Sequence, residues 1–99
     1  MQEVFEVIDK TGRRIYFLRE KWTHITSPQS LHPYMENYLE EIKNTLIKPL
    51  IIIPNKYDET KANYYKYLKG RKQYLLVVKY LNGEGFVLTA FITPHIKRR

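Results

Sequence analysis

Four segments of β-forming residues follow one another closely in the second half of the chain. They are rich in Val, Ile, Tyr, Leu and Phe, and turn-forming Pro, Gly or Asn residues lie between them. Strands joined by short turns must pair antiparallel, because a parallel connection needs a crossover of a dozen or more residues. The second half therefore predicts a four-stranded antiparallel sheet, with strands at 50–53, 63–68, 73–81 and 85–93.

The first half predicts a strand pair and two helices. Val4–Ile8 and Arg14–Leu18 are typical of short strands, and the Asp-Lys-Thr-Gly sequence between them is typical of a turn. The segment Arg19–Ile25 suits a short helix. A longer helix is predicted over Leu31–Ile47 with Ser30 as its N-cap, because apolar residues recur there every three or four positions.

Together these elements predict an α+β fold. We expect the N-terminal strand pair and the two helices to pack on one face of the four-stranded antiparallel sheet. The chain has 99 residues, the size of one modest domain, and it contains no segment with the composition of a linker. A single domain is therefore predicted over residues 1–99, ending in a basic tail at residues 97–99.

The composition narrows the class of protein. Hydrophobic residues make up 43% of the chain and aromatic residues 14%, which excludes a disordered polyelectrolyte. The absence of Cys excludes disulfide scaffolds, cysteine zinc sites and thiol nucleophiles, and it agrees with a reducing cytoplasm. The sequence predicts neither a signal peptide nor a membrane-spanning segment. We expect a cytoplasmic protein without membrane association.

The formal net charge of +7 is unevenly divided along the chain. Residues 1–49 hold seven basic and seven acidic side chains, whereas residues 50–99 hold ten basic and three acidic ones. The excess positive charge therefore falls on the predicted sheet and its turns. Nucleic acid is the simplest partner for such a basic surface.

The last hairpin allows two registers, which place different side chains on each face of the sheet. A two-residue turn pairs Lys79 with Phe86, and a three-residue loop over 83–85 pairs Lys79 with Thr89. We favour the three-residue loop, because it makes the helix side of the hairpin entirely apolar. That apolar set is Tyr74, Leu76, Val78, Tyr80, Phe86, Leu88, Ala90 and Ile92.

The opposite, polar face of this hairpin carries a cation and hydroxyl groups on a rigid support. Its polar members are Lys79, Thr89 and Thr93, and His95 extends the same alternation. Cleavage of a phosphodiester without a metal needs a proton acceptor, a proton donor and a cation to stabilise the developing negative charge. Lys79 can supply the cation, and a histidine can transfer the protons. The alternative is an ordinary solvated sheet face.

Two further histidines lie in the helical region, His24 on the first helix and His32 at the start of the second. Each can act as an acid or a base near neutral pH, and each can equally be a surface residue. The spacing of His24, His32 and His95 matches no metal-ligand motif. We therefore predict no metal and no other cofactor.

A segment rich in tyrosine and lysine, Tyr64–Tyr67, is followed by Arg71 and Lys72. Rings can stack on unpaired bases while cations hold the phosphates. Alternation along a strand sends Tyr65 to one face of the sheet and Lys66 to the other. The segment can therefore also be an edge strand with half of its tyrosines in the core.

Two blocks of residues resemble a known group of proteins. The first is Trp22-x-His24-Ile25, His32-Pro33, Tyr38-Leu39-x-x-Ile42 and Pro49, and the second is Tyr64-Tyr65, Leu76-Val77-Val78-Lys79 and Phe86-Val87-Leu88-Thr89-Ala90-Phe91. In order and spacing over residues 14–97 they resemble nuclease-like domains of phages and mobile elements, grouped with barnase, EndoU, colicin-type tRNases and RelE as the BECR fold. The resemblance implies metal-independent RNA cleavage, often by a toxin restrained by a small acidic antitoxin or an immunity protein.

The resemblance implies His24 as the acid or base, Lys79 as the cation and Thr89 as the hydroxyl that positions the phosphate or the nucleophile. The candidates for substrate contacts are Arg19, His32, Tyr65, Lys66, Arg71, Lys72, Thr93 and His95. We therefore expect a metal-independent endoribonuclease acting on RNA. One alternative is a non-catalytic RNA- or DNA-binding module on the same fold. Another is an interaction domain of a mobile element whose basic half contacts an acidic partner.

Overall fold

A six-stranded β-sheet with helices on one face organises the protein. The computed structural model describes residues 2–30, 33–67, 73–81 and 83–94, and at 73–77, 79 and 81 it describes the backbone. The elements are β1 (Glu3–Ile8), β2 (Arg14–Leu18), α1 (Arg19–Thr26), a 3₁₀ helix (Pro33–Asn37), α2 (Leu39–Ile47), β3 (Ile51–Pro54), β4 (Lys61–Tyr67), β5 (Gln73–Leu81) and β6 (Glu84–Thr93).

The strand order is β1-β2-β6-β5-β4-β3. From β3 to β6 each strand pairs antiparallel with the next, as their short connections require. Strand β2 instead pairs in parallel with the start of β6, where Arg14 lies opposite Glu84 and Tyr16 opposite Phe86. The α+β class is confirmed. The predicted four-stranded antiparallel sheet is wrong, because this parallel contact joins the N-terminal strand pair to it and makes one mixed sheet.

The core lies between the helices and one face of this sheet. From the helical layer it receives Ile25 of α1, Met35 of the 3₁₀ helix, and Ile42 and Leu46 of α2. The ring of Trp22 contacts the Phe17 ring edge-on, with centroids 5.7 Å apart. The buried strand residues of the core are Phe5, Ile15, Phe17, Ala62, Tyr64, Val78, Val87 and Ala90. No helix in the described part of the chain is long and apolar enough to cross a bilayer.

The second predicted helix is divided in two. Instead of one helix over Leu31–Ile47, the 3₁₀ helix Pro33–Asn37 precedes α2, and Tyr38 between them has φ −120° and ψ 23°. The proline that begins the 3₁₀ helix lacks an N–H and disfavours a helix running through it. The hydroxyl of Ser30, the predicted N-cap, donates to the carbonyl of Ile25 in α1 at 2.6 Å.

The β5–β6 hairpin combines the register of a two-residue turn with a bulge. Next to the turn Lys79 pairs with Phe86, and Gly83 supplies a φ of +86°. The register shifts once along the hairpin, so that Val77 pairs with Thr89 beyond the bulge. The predicted three-residue loop, which pairs Lys79 with Thr89, is therefore wrong.

The two-residue turn changes which residues at the start of β6 face the helices. Phe86, expected in the core, stacks on Tyr16 on the other face, and Val87, expected on the polar face, is buried in the core. The bulge adds one residue to β6 and restores the expected parity beyond it, so Ala90 is buried on the helix side. By backbone register, positions 79 and 89 both belong to the face away from the helices.

Candidate functional site

We use the name open face for the side of the sheet opposite the helices. In the described part of the chain, the helices pack on the other side, where the buried core set lies. The open face consists of the strand residues that alternate with that core set. Its described side chains are Glu6, Ile8, Arg14, Tyr16, Ile51, Ile53, Lys61, Asn63, Tyr65, Tyr67, Glu84, Phe86, Thr89, Phe91 and Thr93.

Aromatic rings and cations are neighbours on the open face. The rings of Tyr16 and Phe86 stack with their centroids 5.5 Å apart and their planes at 28°. In the backbone register Phe86 lies opposite Lys79, and Lys79 lies opposite Lys61, so these three positions form one row across the sheet. Tyr67, at the end of β4, is 59% exposed. This combination can stack on flat rings and neutralise negative charge.

Charged groups gather where β2 and β6 begin. Arg14 Nε lies 3.0 Å from Glu6 Oε2, and the hydroxyl of Tyr16 donates to Glu84 Oε2 at 3.1 Å. Hydrogen bonding with Tyr16, together with the Glu6 carboxylate, raises the pKa of Arg14, so this guanidinium is a permanent cation. Desolvation and the nearby Glu84 carboxylate raise the pKa of the Tyr16 hydroxyl, which is therefore neutral at physiological pH.

These charged residues border a surface depression of about 350 Å³. It lies between the turn that follows β1 and the turn that follows β5, which are brought together by the parallel pairing of β2 with β6. The volume falls within the range of small-molecule sites. We refer to it as the corner depression, and its lining residues are Ile8, Gly12, Arg14, Gly83 and Glu84.

A buried polar network lies on the helix side of the same corner. Asp9 is 5% exposed, and its Oδ1 accepts from the Thr11 N–H and the Arg13 N–H, both at 2.9 Å, and from Thr11 Oγ1 at 2.7 Å. Its Oδ2 accepts from the hydroxyl of Tyr64, which lies 2.5 Å from the hydroxyl of Tyr80. The Arg13 guanidinium sits over the Tyr80 ring, 4.0 Å from its centroid.

The network fixes the β1–β2 turn onto the sheet. A phenol has one hydrogen, and since Tyr64 gives its hydrogen to Asp9, Tyr80 donates to Tyr64. Burial is the first cause that raises the pKa of Tyr64, followed by its hydrogen bond to Asp9. Since the Tyr64 side chain is fully buried, this network stabilises the fold and offers no surface to a substrate.

The structure does not bring the predicted catalytic residues together. His24 is exposed on α1, in the layer that covers the core face of the sheet. Thr89 is half-buried on the open face, and the backbone position of Lys79 belongs to the same face. The sheet therefore lies between the histidine and the other two positions. A site that uses all three is not formed in this arrangement.

The predicted substrate-binding residues are also dispersed. Arg19 is exposed at the start of α1, and Lys66 Nζ donates to the carbonyl of Lys48 at 3.3 Å. Thr93 is half-buried on the open face. Tyr65 lies on the open face but is 1% exposed, so its ring is not available for stacking on a base. Four predicted residues lie outside the described ones: His32, Arg71, Lys72 and His95.

Sequence reasoning did not find Arg14, Tyr16 and Glu84. Alternation along β2 is a signal that Arg14 and Tyr16 share a face, but nothing in the sequence points to Glu84 as their neighbour, 68 residues beyond Tyr16. Within the described ranges, no three His, Asp or Glu side chains are placed to hold a metal ion.

No family model matches the chain, and neither the search of curated proteins nor the search of solved structures returned a match. The function therefore has to be inferred from the geometry of the open face.

Proposed function

We propose that this protein binds single-stranded RNA on the open face of its sheet. The observation that carries the proposal is the stacked pair of Tyr16 and Phe86, with Lys61 in the same row of the sheet. Rings on a sheet surface can stack on unpaired bases, and cations beside them can hold the phosphates. The net charge of +7 favours the approach of any polyanion.

RNA cleavage by a toxin of the BECR fold, held in check by an acidic antitoxin or an immunity protein, stays a prediction from the resemblance. The position of His24 argues against cleavage by the predicted trio, since α1 lies on the far side of the sheet from Thr89. Binding without cleavage does not require His24, Lys79 and Thr89 to lie close together. It is therefore the function that we favour.

Binding to a fluorescent nine-nucleotide oligouridine is expected to be salt-dependent and to leave the RNA intact. If at least two phosphates are neutralised, the logarithm of the association constant falls against the logarithm of salt concentration with a slope of about −1.4 or steeper. Fluorescence anisotropy between 50 and 300 mM KCl measures the slope, and a denaturing gel of the same samples in EDTA detects cleavage. No binding at 50 mM KCl would reject the proposal. Cleavage that His24→Ala or Lys79→Ala abolishes would establish the nuclease instead.

Replacement of Phe86 by alanine is expected to weaken binding of this oligouridine at least about fivefold, because stacking on an aromatic ring contributes roughly 1–3 kcal/mol per base. The matched control is Tyr57→Ala, which removes a ring that is 88% exposed on the loop after β3. Urea unfolding of both variants establishes that they fold. Equal affinities of the two folded variants would show that the Tyr16–Phe86 pair does not contact RNA.

A further inference from the structure

The corner depression lies at the edge of the open face. Its polar side chains are not needed to bind an RNA strand of uniform sequence. Gly12 and Gly83 have φ values of +87° and +86°, and a Cβ added to either would meet no atom within 4 Å. Open space therefore lies beside both glycines. On one side Ile8, which is 55% exposed, offers an apolar surface to a flat group.

The polar lining of the depression combines donors with acceptors. Arg14 uses Nε toward Glu6 and also hydrogen-bonds with Tyr16, and the five N–H groups of its guanidinium leave further donors for a ligand. Glu84 accepts from the Tyr16 hydroxyl through Oε2, and its Oε1 is a second acceptor. A guanidinium and a carboxylate thus lie on paired backbone positions of adjacent strands, Arg14 opposite Glu84.

This lining selects against simple ions. A phosphate group near Arg14 would also meet the carboxylates of Glu6 and Glu84, and a metal cation near those carboxylates would meet Arg14. A neutral, flat group with hydrogen-bond donors and acceptors along one edge satisfies both charges without repulsion. Among the RNA bases, guanine presents two adjacent donors, N1–H and N2–H₂, beside the O6 acceptor.

We propose that the corner depression binds a guanine base of single-stranded RNA, with Glu84 accepting from N1–H and N2–H₂ and Arg14 donating to O6. This inference rests on the proposed function, because the open face would hold the rest of the strand. Stacking on the Tyr16–Phe86 pair tolerates any base, whereas the depression discriminates between bases. The protein therefore binds unpaired RNA with a preference for guanine.

The first test compares nine-nucleotide oligouridines that carry one central G, A, C or inosine, with fluorescence anisotropy as the readout. The oligonucleotide with G is expected to bind at least about fivefold more tightly than those with A or C, because a bidentate contact discriminates by roughly that factor or more. Inosine lacks the N2 amine, so the oligonucleotide with inosine is expected to bind less tightly than the one with G and more tightly than those with A or C. Equal affinities for all four would overturn the inference and leave the proposed function standing. No binding by any of them would reject the proposed function itself.

The second test uses Glu84→Gln, in which an amide replaces one carboxylate oxygen. It is expected to reduce the ratio of the affinities for the G and A oligonucleotides to below about two. The matched control Glu59→Gln, which removes an exposed carboxylate in the loop before β4, is expected to keep the ratio. An unchanged ratio in Glu84→Gln would overturn the inference. The comparison of G with inosine needs no variant, so it decides the question even if Glu84→Gln fails to fold.

Discussion

Replacement of Asp9 by alanine is expected to lower the free energy of unfolding by about 3 kcal/mol. The buried carboxylate accepts from the N–H groups of Thr11 and Arg13 and from the hydroxyls of Thr11 and Tyr64. Alanine removes the acceptor of all four donors at a position that is poorly accessible to water. Since domains of this size unfold at a cost of roughly 5–15 kcal/mol, the loss is a large fraction of the total. Urea unfolding followed by circular dichroism measures it.

Asp58 provides a matched control because it forms the same kind of turn at the surface. Its Oδ1 accepts from the Thr60 N–H at 2.9 Å and from Thr60 Oγ1 at 2.5 Å, in an exposed loop. Asp58→Ala is expected to cost less than about 1 kcal/mol, because water can replace these contacts. Equal losses in the two variants would contradict the view that burial of the Asp9 network stabilises the fold.

Local patterns in the sequence were sufficient to predict most of the elements. The two N-terminal strands, α1 and the strand β5 were predicted within two residues of their bounds, because alternation and turn residues act over a few positions. The break before α2 was missed, although Pro33 is a local signal for it. The parallel contact of β2 with β6 could not be predicted in this way. It depends on packing between segments that are far apart in the sequence.

The bulge in the last hairpin shows why register is harder to predict than strand content. The two-residue turn placed Val87 in the core and Phe86 outside it, against the predicted faces, and a single extra residue in β6 then restored the predicted faces beyond the bulge. Both residues are apolar, so hydrophobicity alone does not choose between them. A helix face of the hairpin that is entirely apolar is equally compatible with a two-residue turn followed by a bulge, which places Val87 there instead of Phe86.

The positions of candidate residues were predicted correctly only where alternation along one strand was sufficient to assign a face of the sheet. Thr89 and Thr93 lie on the open face as expected, but His24 reaches neither, because α1 packs on the opposite face, the side that the apolar pattern of the hairpin predicted for the helices. Tyr65 shares the open face and is nevertheless buried. Burial depends on neighbouring strands, and a single-strand pattern carries no information about it.

The buried network supports the corner depression from the other side of the sheet. Asp9 accepts from the N–H groups of Thr11 and Arg13, and so fixes the conformation of the turn that presents Gly12 and Arg14. The buried Asp9 carboxylate thereby determines the position of the exposed Arg14 residue. The stability of the fold and the geometry of the proposed base site depend on the same turn.

The stability of the protein is expected to fall steeply above pH 10, with Tyr64 as a major cause. In the folded protein burial and the hydrogen bond to Asp9 raise the Tyr64 pKa, with Tyr80 contributing, whereas in the unfolded chain it ionises near pH 10. Above that pH the unfolded state loses a proton that the folded state keeps. Below it the stabilisation is fully present. The free energy of unfolding therefore falls by about 1.4 kcal/mol per pH unit for this group, or about 2–3 kcal/mol between pH 10 and pH 12.

Comparison of Tyr64→Phe with Tyr57→Phe isolates this contribution. Tyr57 is 88% exposed, so its removal is expected to leave the pH dependence unchanged. Tyr64→Phe is expected to be less stable than the wild type at pH 8, because it loses a hydrogen bond to Asp9, yet to lose stability less steeply above pH 10. The rest of the chain is the same in both variants, so the difference between the two slopes belongs to Tyr64 together with the Tyr80 hydroxyl that is hydrogen-bonded to it. Equal slopes, measured by urea unfolding from pH 8 to pH 12, would show that the Tyr64 hydroxyl ionises as readily in the folded protein as in the unfolded chain.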